Sequence, residues 1–403
     1  MPAAYTAGRS IALNNLNGAA MTPDESRTAK TSLSVFDVGR WLLGAAVLGL
    51  AATVGHAQPP ADIEAALQKI GPIVDPVCTA RLYRPLMPKN DITSNVPQPY
   101  PGVRVTRNQA FGPDPKDVVD IFTGKTGPSK RTVLVYVPGG AGNKIEIQDK
   151  SANAFYDNIG RFATEHGMVG VLMQRKSAAG WDGGAKDISA MLQWVQAHIG
   201  DYGGNPERIF IWAHSAGNVP MGTYLGRPEL WGPKGVGVKG AIFMSGAAFD
   251  IAPAKAPALT PGDALGAAGK TCSDKVGMAS AAGADGALPG VPPGGPGGPP
   301  LRSDLSPPAS GGPPSADTQL ARSSLPQLKS ADFKMLIVSG ELDPAALLAF
   351  SKTLHDSICE AGSAHCPRYL IAKGQSHVSL VFSIDTPDQG VSGPVLAFIS
   401  HTR

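Results

Sequence analysis

Three residues have the types and order for nucleophilic acyl transfer: Ser215, Asp343 and His377. A serine hydroxyl is a weak nucleophile until a base takes its proton, and an imidazole serves best when a carboxylate orients it. Ser215 lies in Ala213-His214-Ser215-Ala216-Gly217, with small residues two before and two after it. Such spacing lets a strand turn sharply into a helix and leaves the hydroxyl standing clear of the sheet. Asp343 and His377 follow in the chain, 34 residues apart. The interval from Ser215 to Asp343 is 128 residues. Acyl transfer also needs N–H donors aimed at the developing oxyanion. The backbone N–H of Ala216 is one candidate, and the run Pro138-Gly139-Gly140-Ala141-Gly142-Asn143 can present others without side-chain obstruction.

Each residue also has a plainer reading. Asp343 precedes Pro344 and could cap a helix, and Glu341 is a rival acid. His377 could be a structural loop histidine, as could His166, His198, His355 or His401. The glycine run is not a phosphate cradle, because no Lys-Ser/Thr follows at the required spacing. What favours catalysis is the conjunction of a serine, an acid and a histidine, each just past an expected strand.

Those strands are short, continuously apolar runs: residues 132–137, 168–173, 208–213, 241–244, 335–338 and 369–372. Between them lie helical patterns at 151–166 and from Asp187, whose Ile188, Met191, Leu192, Val195 and Ile199 line one face. Gly203-Gly204-Asn205-Pro206 is expected to break the chain before the 208–213 strand, and 393–399 to form a closing helix. Residues 58–130, rich in Pro and polar types, read as loops and short strands. Buried strands alternating with amphipathic helices predict an α/β fold: a doubly wound, mostly parallel sheet with helices on both faces.

Of the 403 residues, 42% are hydrophobic, enough for a large core, and the net charge is +3. No basic run points to nucleic acid. Arg40 precedes an uncharged stretch, residues 41–54, that ends at Gly55-His56-Ala57. As a helix these residues would rise about 21 Å, short of the roughly 30 Å hydrocarbon core. Residues 1–57 therefore read as a leader and signal peptide cut after Ala57, implying export to the periplasm or medium. No stable membrane insertion is expected after cleavage; the alternatives are an anchor through 41–55 or a core helix. Cys78, Cys272, Cys359 and Cys366 lie beyond the cut and suit two disulfides, Cys359 with Cys366 and Cys78 with Cys272. Zinc is the competing reading, with His365 as a lone neighbour and no Cys-x-x-Cys unit. The remainder, 58–403, is read as one domain carrying a disordered insertion around 252–325. Within it, 18 of the 31 residues from 285 to 315 are Gly or Pro, too many for a helix or strand interior.

From about residue 102 to 402 the chain resembles the carboxylesterase/lipase branch of the α/β-hydrolase superfamily that carries a His-Gly-Gly-Gly loop. The likeness rests on Phe111-Gly112, the 118–122 segment, Tyr202-Gly-Gly-Asn-Pro-Glu-Arg208, Ser215-Ala-Gly-Asn218, Gly340-Glu-Leu-Asp343 and the His377 loop. The resemblance implies a nucleophile at Ser215, an acid at Asp343, a base at His377, and oxyanion amides at Gly140, Ala141 and Ala216. Two positions depart from it: Pro138 stands where a histidine is usual, and Ala213 replaces the first elbow glycine. The expected activity is hydrolysis of a small-molecule carboxylic ester, of short or medium acyl chain, with no cofactor or metal. Hydrolysis of another acyl bond is the alternative, and an inactive binding module is a rival of another class. Oligomeric state is not legible.

Overall fold

The computed structural model describes residues 59–87, 100–125, 127, 129–139, 155–176, 182–246, 323–360, 362 and 365–402. The expected signal peptide, the Gly140–Ala141 pair, Cys272 and the 252–322 part of the expected insertion lie outside them.

Eight strands form one sheet among the described residues: β1 (Val103–Ala110), β2 (Val118–Gly124), β3 (Arg131–Val137), β4 (Val169–Met173), β5 (Gly204–His214), β6 (Gly240–Met244), β7 (Lys334–Leu342) and β8 (Arg368–Ser376). Their order is β1-β2-β4-β3-β5-β6-β7-β8. Only β1/β2 and β2/β4 are antiparallel; every pairing from β4 through β8 is parallel. The expected doubly wound sheet is present.

The apolar strands are explained by burial on both faces. Successive side chains of a strand point to opposite faces, so each strand feeds two cores. Leu134, Tyr136, Phe210, Trp212, Ile242 and Leu336 enter one core, while Val133, Val135, Ile209, Ile211, Phe243 and Ile337 enter the other. The first is covered by α1 (Ala61–Ile70), α2 (Pro76–Tyr83), α3 (Asp157–Glu165) and a C-terminal helix, Ser392–His401. The second is covered by α4 (Gly183–His198), α5 (Asn218–Leu225) and α6 (Ala345–Glu360).

Four sequence expectations are corrected. Residues 58–130 hold α1 and α2 as well as strands. The apolar stripe Ile63, Ala66, Leu67, Ile70 has helical spacing, and all four are buried. Asp75 caps α2 by accepting the Cys78 N–H at 3.0 Å, with Pro76 in the first turn, where its missing N–H costs nothing. The break expected at 203–206 is only partial, since β5 already pairs with β3 at Gly204 and the register shifts before Val133. Helix α4 starts at Gly183, ahead of Asp187. Finally, β7 and β8 run several residues longer than their apolar runs, to Leu342 and Ser376. That extension places Asp343 and His377 as the first residues past their strands.

Cys359 and Cys366 form the expected disulfide, tying the end of α6 to the approach to β8. Cys78 is also disulfide-bonded. No described helix is long and apolar enough to cross a membrane.

Candidate active site

Parallel strands that neighbour one another end on the same edge of the sheet, and loops at that carboxyl edge are where ligands bind in such folds. Ser215, Asp343 and His377 each follow directly on β5, β7 and β8.

The turn at Ser215 is built as its small neighbours require. Ser215 has φ 51°, in the left-handed region, and leads through a 3₁₀ turn into α5. A side chain at Gly217 would lie 2.6 Å from the Val137 carbonyl oxygen and 2.7 Å from that of Pro138, so this position must be glycine. Ala213, the departure at the other small position, is fully buried at the end of β5. Asn218 secures the turn: its Nδ2 donates to the carbonyl oxygens of Ser215 (2.9 Å) and Met244 (2.8 Å). A non-glycine residue held at positive φ costs about 1–3 kcal/mol and persists only where its surroundings enforce it.

His377 Nε2 lies 2.9 Å from Ser215 Oγ, and its Nδ1 lies 3.0 Å from Asp343 Oδ1. The three sequence-predicted residues are therefore brought together in one hydrogen-bonded line. Asp343 is 1% and His377 3% exposed, so the pair works almost out of water. The second carboxylate oxygen, Oδ2, accepts the Gly340 N–H at 2.8 Å. The rival acid is engaged elsewhere, as Glu341 Oε2 accepts the Gly374 N–H at 2.9 Å. Of the other histidines, His166 faces the Phe162 carbonyl, His401 that of Ala397, and His198 packs on Trp194.

Four further residues surround this line and are not among the expected site residues: Ser245, His214, Gln375 and Asp388. Ser245 Oγ donates to Asp343 Oδ1 at 2.8 Å and lies 2.6 Å from His377 Nδ1. It is fully buried, has φ 47°, and is the first residue past β6. That position was the available signal, for it obeys the same placement as the triad. His214 Nε2 lies 2.9 Å from the His377 carbonyl oxygen. Burial, then the nearby His377 ring, hold the His214 imidazole well below the usual histidine range. Gln375 and Asp388 support the histidine loop from below. Gln375 Nε2 donates to Asp388 Oδ2 (2.7 Å), Tyr83 of α2 donates to the same oxygen (3.1 Å), and Ser379 Oγ donates to Gln375 Oε1 (2.7 Å). Burial pushes the Asp388 carboxyl up from its ordinary value.

The oxyanion side is described in part. Ala216 sits directly after Ser215, half-buried. Gly139 packs so closely that a side chain there would fall 2.8 Å from both Ser215 Cβ and the His214 carbonyl oxygen. Gly140 and Ala141 lie outside the described residues. Pro138 lacks the usual histidine side chain, but its carbonyl oxygen accepts from the buried Arg175 Nε at 3.0 Å, just past β4. The loop's backbone is thus held by a guanidinium at this position.

A possible metal cluster among the described residues is His355 with Cys359 and Cys366. It is His355, not His365, that neighbours the sulfurs, with Nε2 3.4 Å from Cys359 Sγ. The two sulfurs are joined in the disulfide, so the thiolate ligands a zinc site needs are absent in this state.

Residues 117–268 match the carboxylesterase family. The chain is 35% identical to the cAMP-regulated D2 protein of Dictyostelium discoideum over 27% of its own length and 21% of that protein. It is 31% identical to human cocaine esterase over 30% of its own length and 22% of that enzyme. Over their whole lengths, then, these curated relatives are mostly unmatched by the chain. Among solved structures, the bacterial heroin esterase superposes with a TM-score of 0.51 at 17% identity, covering 83% of this chain and 99% of that one. The esterase rPPE gives a TM-score of 0.50 at 14% identity, over 85% and 97% respectively. At those identities the superpositions speak for the fold alone. Sheet order and the strand-to-helix turn at Ser215 give the chain the α/β-hydrolase fold, and its 117–268 segment is similar to the carboxylesterase family.

Proposed function

We propose that the protein hydrolyses small-molecule carboxylic esters through an acyl-enzyme on Ser215. The observation that carries this reading is the 2.9 Å approach of His377 Nε2 to Ser215 Oγ, with Nδ1 committed to Asp343. His377 takes the Oγ proton as Oγ attacks the ester carbon, and the carbonyl π electrons move to oxygen. The Ala216 N–H and amides of the loop beginning at Gly139, Gly140 and Ala141 foremost, receive the oxyanion. Each such donor is worth roughly 3–4 kcal/mol in the transition state. The imidazolium then passes its proton to the leaving alkoxide as the carbon–oxygen bond breaks. Water, deprotonated by the same nitrogen, attacks the acyl carbon and frees Ser215. Asp343 stays ionised and holds Nδ1 as the protonated nitrogen.

The test is a panel of p-nitrophenyl esters from acetate to decanoate, together with labelling by a serine-directed phosphonate. Turnover of at least one ester and a single phosphonate adduct on Ser215 are expected. No turnover across the panel and no adduct would overturn the reading and favour a binding module. The matched relatives' names, carboxylesterases and a cocaine esterase among them, favour esters over amides.

Ser245 joins the carboxylate and the imidazole, and a hydrogen bond to a charged group is worth about 1.5–3 kcal/mol. Ser245→Ala is therefore expected to lower kcat roughly 10- to 100-fold with little change in KM. Steady-state kinetics on the best ester of the panel would measure this.

Export follows from the reading of residues 1–57 as a signal peptide cut after Ala57. The Cys359–Cys366 disulfide supports it, since such bonds persist in oxidising compartments. Mass spectrometry of the mature N-terminus tests the cut; an intact leader in the exported fraction would favour an anchor.

A further inference from the structure

We propose that His214 is a positioning residue that brackets the base to the nucleophile and keeps His377 in place while Ser215 is acylated. This rests on the ester-hydrolysis reading above. His214 and Ser215 are chain neighbours, so the nucleophile is joined to the His214 backbone by a single peptide bond. From the same residue the imidazole reaches across to the His377 loop, with Nε2 2.9 Å from the His377 carbonyl oxygen. A carbonyl oxygen only accepts, so Nε2 carries the hydrogen and donates. The loop is thereby closed twice: once by Oγ to Nε2 of His377, and once by Nε2 of His214 to the main chain of His377.

These two links differ in when they exist. Once the acyl group sits on Ser215, Oγ has no hydrogen to offer, and the side-chain link to His377 is lost. Asp343 and Ser245 still hold Nδ1, but they follow other strands, β7 and β6. The His214 link is the one that still ties the base to the segment carrying the acyl group. Deacylation needs the base at that place, to take a proton from water beside the ester carbon.

The surroundings of the ring suit this role. His214 is 6% exposed, and its ring lies beside that of His377, centroids 4.7 Å apart and planes at 37°. The other ring nitrogen, Nδ1, faces the start of the oxyanion loop: a side chain at Gly139 would come within 3.0 Å of it. One ring thus spans the base loop and the oxyanion loop. Burial and the neighbouring imidazole keep His214 neutral at working pH, so the imidazolium that forms on His377 meets no second cation. A core histidine with a purely structural role would fill the same space, but replacing its donor would not single out one chemical step.

The experiment compares wild type with His214→Phe and His214→Leu, which fill the space without a donor, and with His214→Gln, whose amide can donate over a similar reach. In the two donor-less variants kcat is expected to fall about 10- to 100-fold, and kcat/KM by a clearly smaller factor. A burst of p-nitrophenol close to one equivalent would accompany this, because acyl-enzyme accumulates. His214→Gln should recover at least half of the loss on a logarithmic scale. Hydrogen exchange of the 376–379 amides, which needs no substrate, should be faster in Phe and Leu than in wild type and Gln. Equal losses in kcat and kcat/KM without a burst, equal behaviour of Gln and the donor-less variants, or unchanged kinetics would each overturn the proposal. If one donor-less variant fails to fold, the other and Gln still decide it. If wild type turns over no ester and takes no phosphonate, the ester reading fails by itself. Amide exchange then judges the bracket, and unchanged exchange in Phe and Leu overturns it.

Discussion

Replacing Ser215 with alanine is expected to lower kcat toward a p-nitrophenyl ester by roughly 10⁴- to 10⁶-fold and to abolish phosphonate labelling. The change removes only Oγ. The left-handed backbone at this position is retained, since alanine meets the same steric penalty at φ 51° as serine. The hydrogen bonds that shape the turn run from Asn218 to the backbone oxygens of Ser215 and Met244, and neither involves the hydroxyl. His377 Nε2 loses its partner, yet Ser215 is half-exposed, so water can reach the vacated place. The melting temperature is therefore expected to stay within a few degrees of wild type. Residual hydrolysis would report the oxyanion donors and substrate binding alone. Activity retained within tenfold would mean that another group is the nucleophile.

The second large effect is expected at Asp343, where asparagine should cost roughly 10³- to 10⁴-fold in kcat with KM little changed. An ionised carboxylate only accepts hydrogen bonds. Asp343 takes the Gly340 N–H on Oδ2, and the Ser245 hydroxyl and His377 Nδ1–H on Oδ1. Asparagine has one accepting oxygen. Turned toward Gly340, that oxygen leaves the NH₂ facing His377, whose Nδ1 must then accept. The histidine proton moves to Nε2, the side facing Ser215 Oγ, and the base is in the wrong tautomer. Turned the other way, the amide would set its own N–H against that of Gly340 in a site 1% exposed. The first arrangement costs less, since Ser245 Oγ can accept as well as donate. Glu341 cannot step in while it accepts the Gly374 N–H. NMR of the His377 ring nitrogens would read the tautomer directly, and unchanged nitrogens with full activity would refute the assignment. Ser215→Ala removes the reacting atom, Asp343→Asn misdirects the base, and Ser245→Ala weakens a contact between them.

Much of this site was legible from residue types in order. Ser215, Asp343 and His377 were identified because each followed an apolar run, and in a parallel sheet the end of such a run is a place on one edge. Even the mistaken ends of β7 and β8 did no harm, because the strands ran on toward Asp343 and His377 and not past them. In the N-terminal region the prolines and polar residues mask a local signal: the stripe Ile63, Ala66, Leu67, Ile70 has the helical period of α1. The disulfide between Cys359 and Cys366 was legible for the same reason, closing a loop of only seven residues' separation.

What the sequence by itself determined was therefore the alternation of buried strands with helices, the sharp turn at Ser215, and the three residues that meet in one hydrogen-bonded line. These depend on short-range patterns: periodicity, small residues around a turn, and positions just past a strand. Only the tertiary structure decided that Ser245 bridges acid and base, that His214 reaches the His377 carbonyl, that Arg175 holds Pro138, and that His355 rather than His365 adjoins the disulfide. The His214 contact joins residues 163 positions apart, and the Ser245 contact to His377 spans 132. Such pairs meet because the strand order sets β5, β6, β7 and β8 side by side, and spacing along a chain does not encode strand order. A polar side chain at a strand's end looks the same in a sequence whether it touches the base or water.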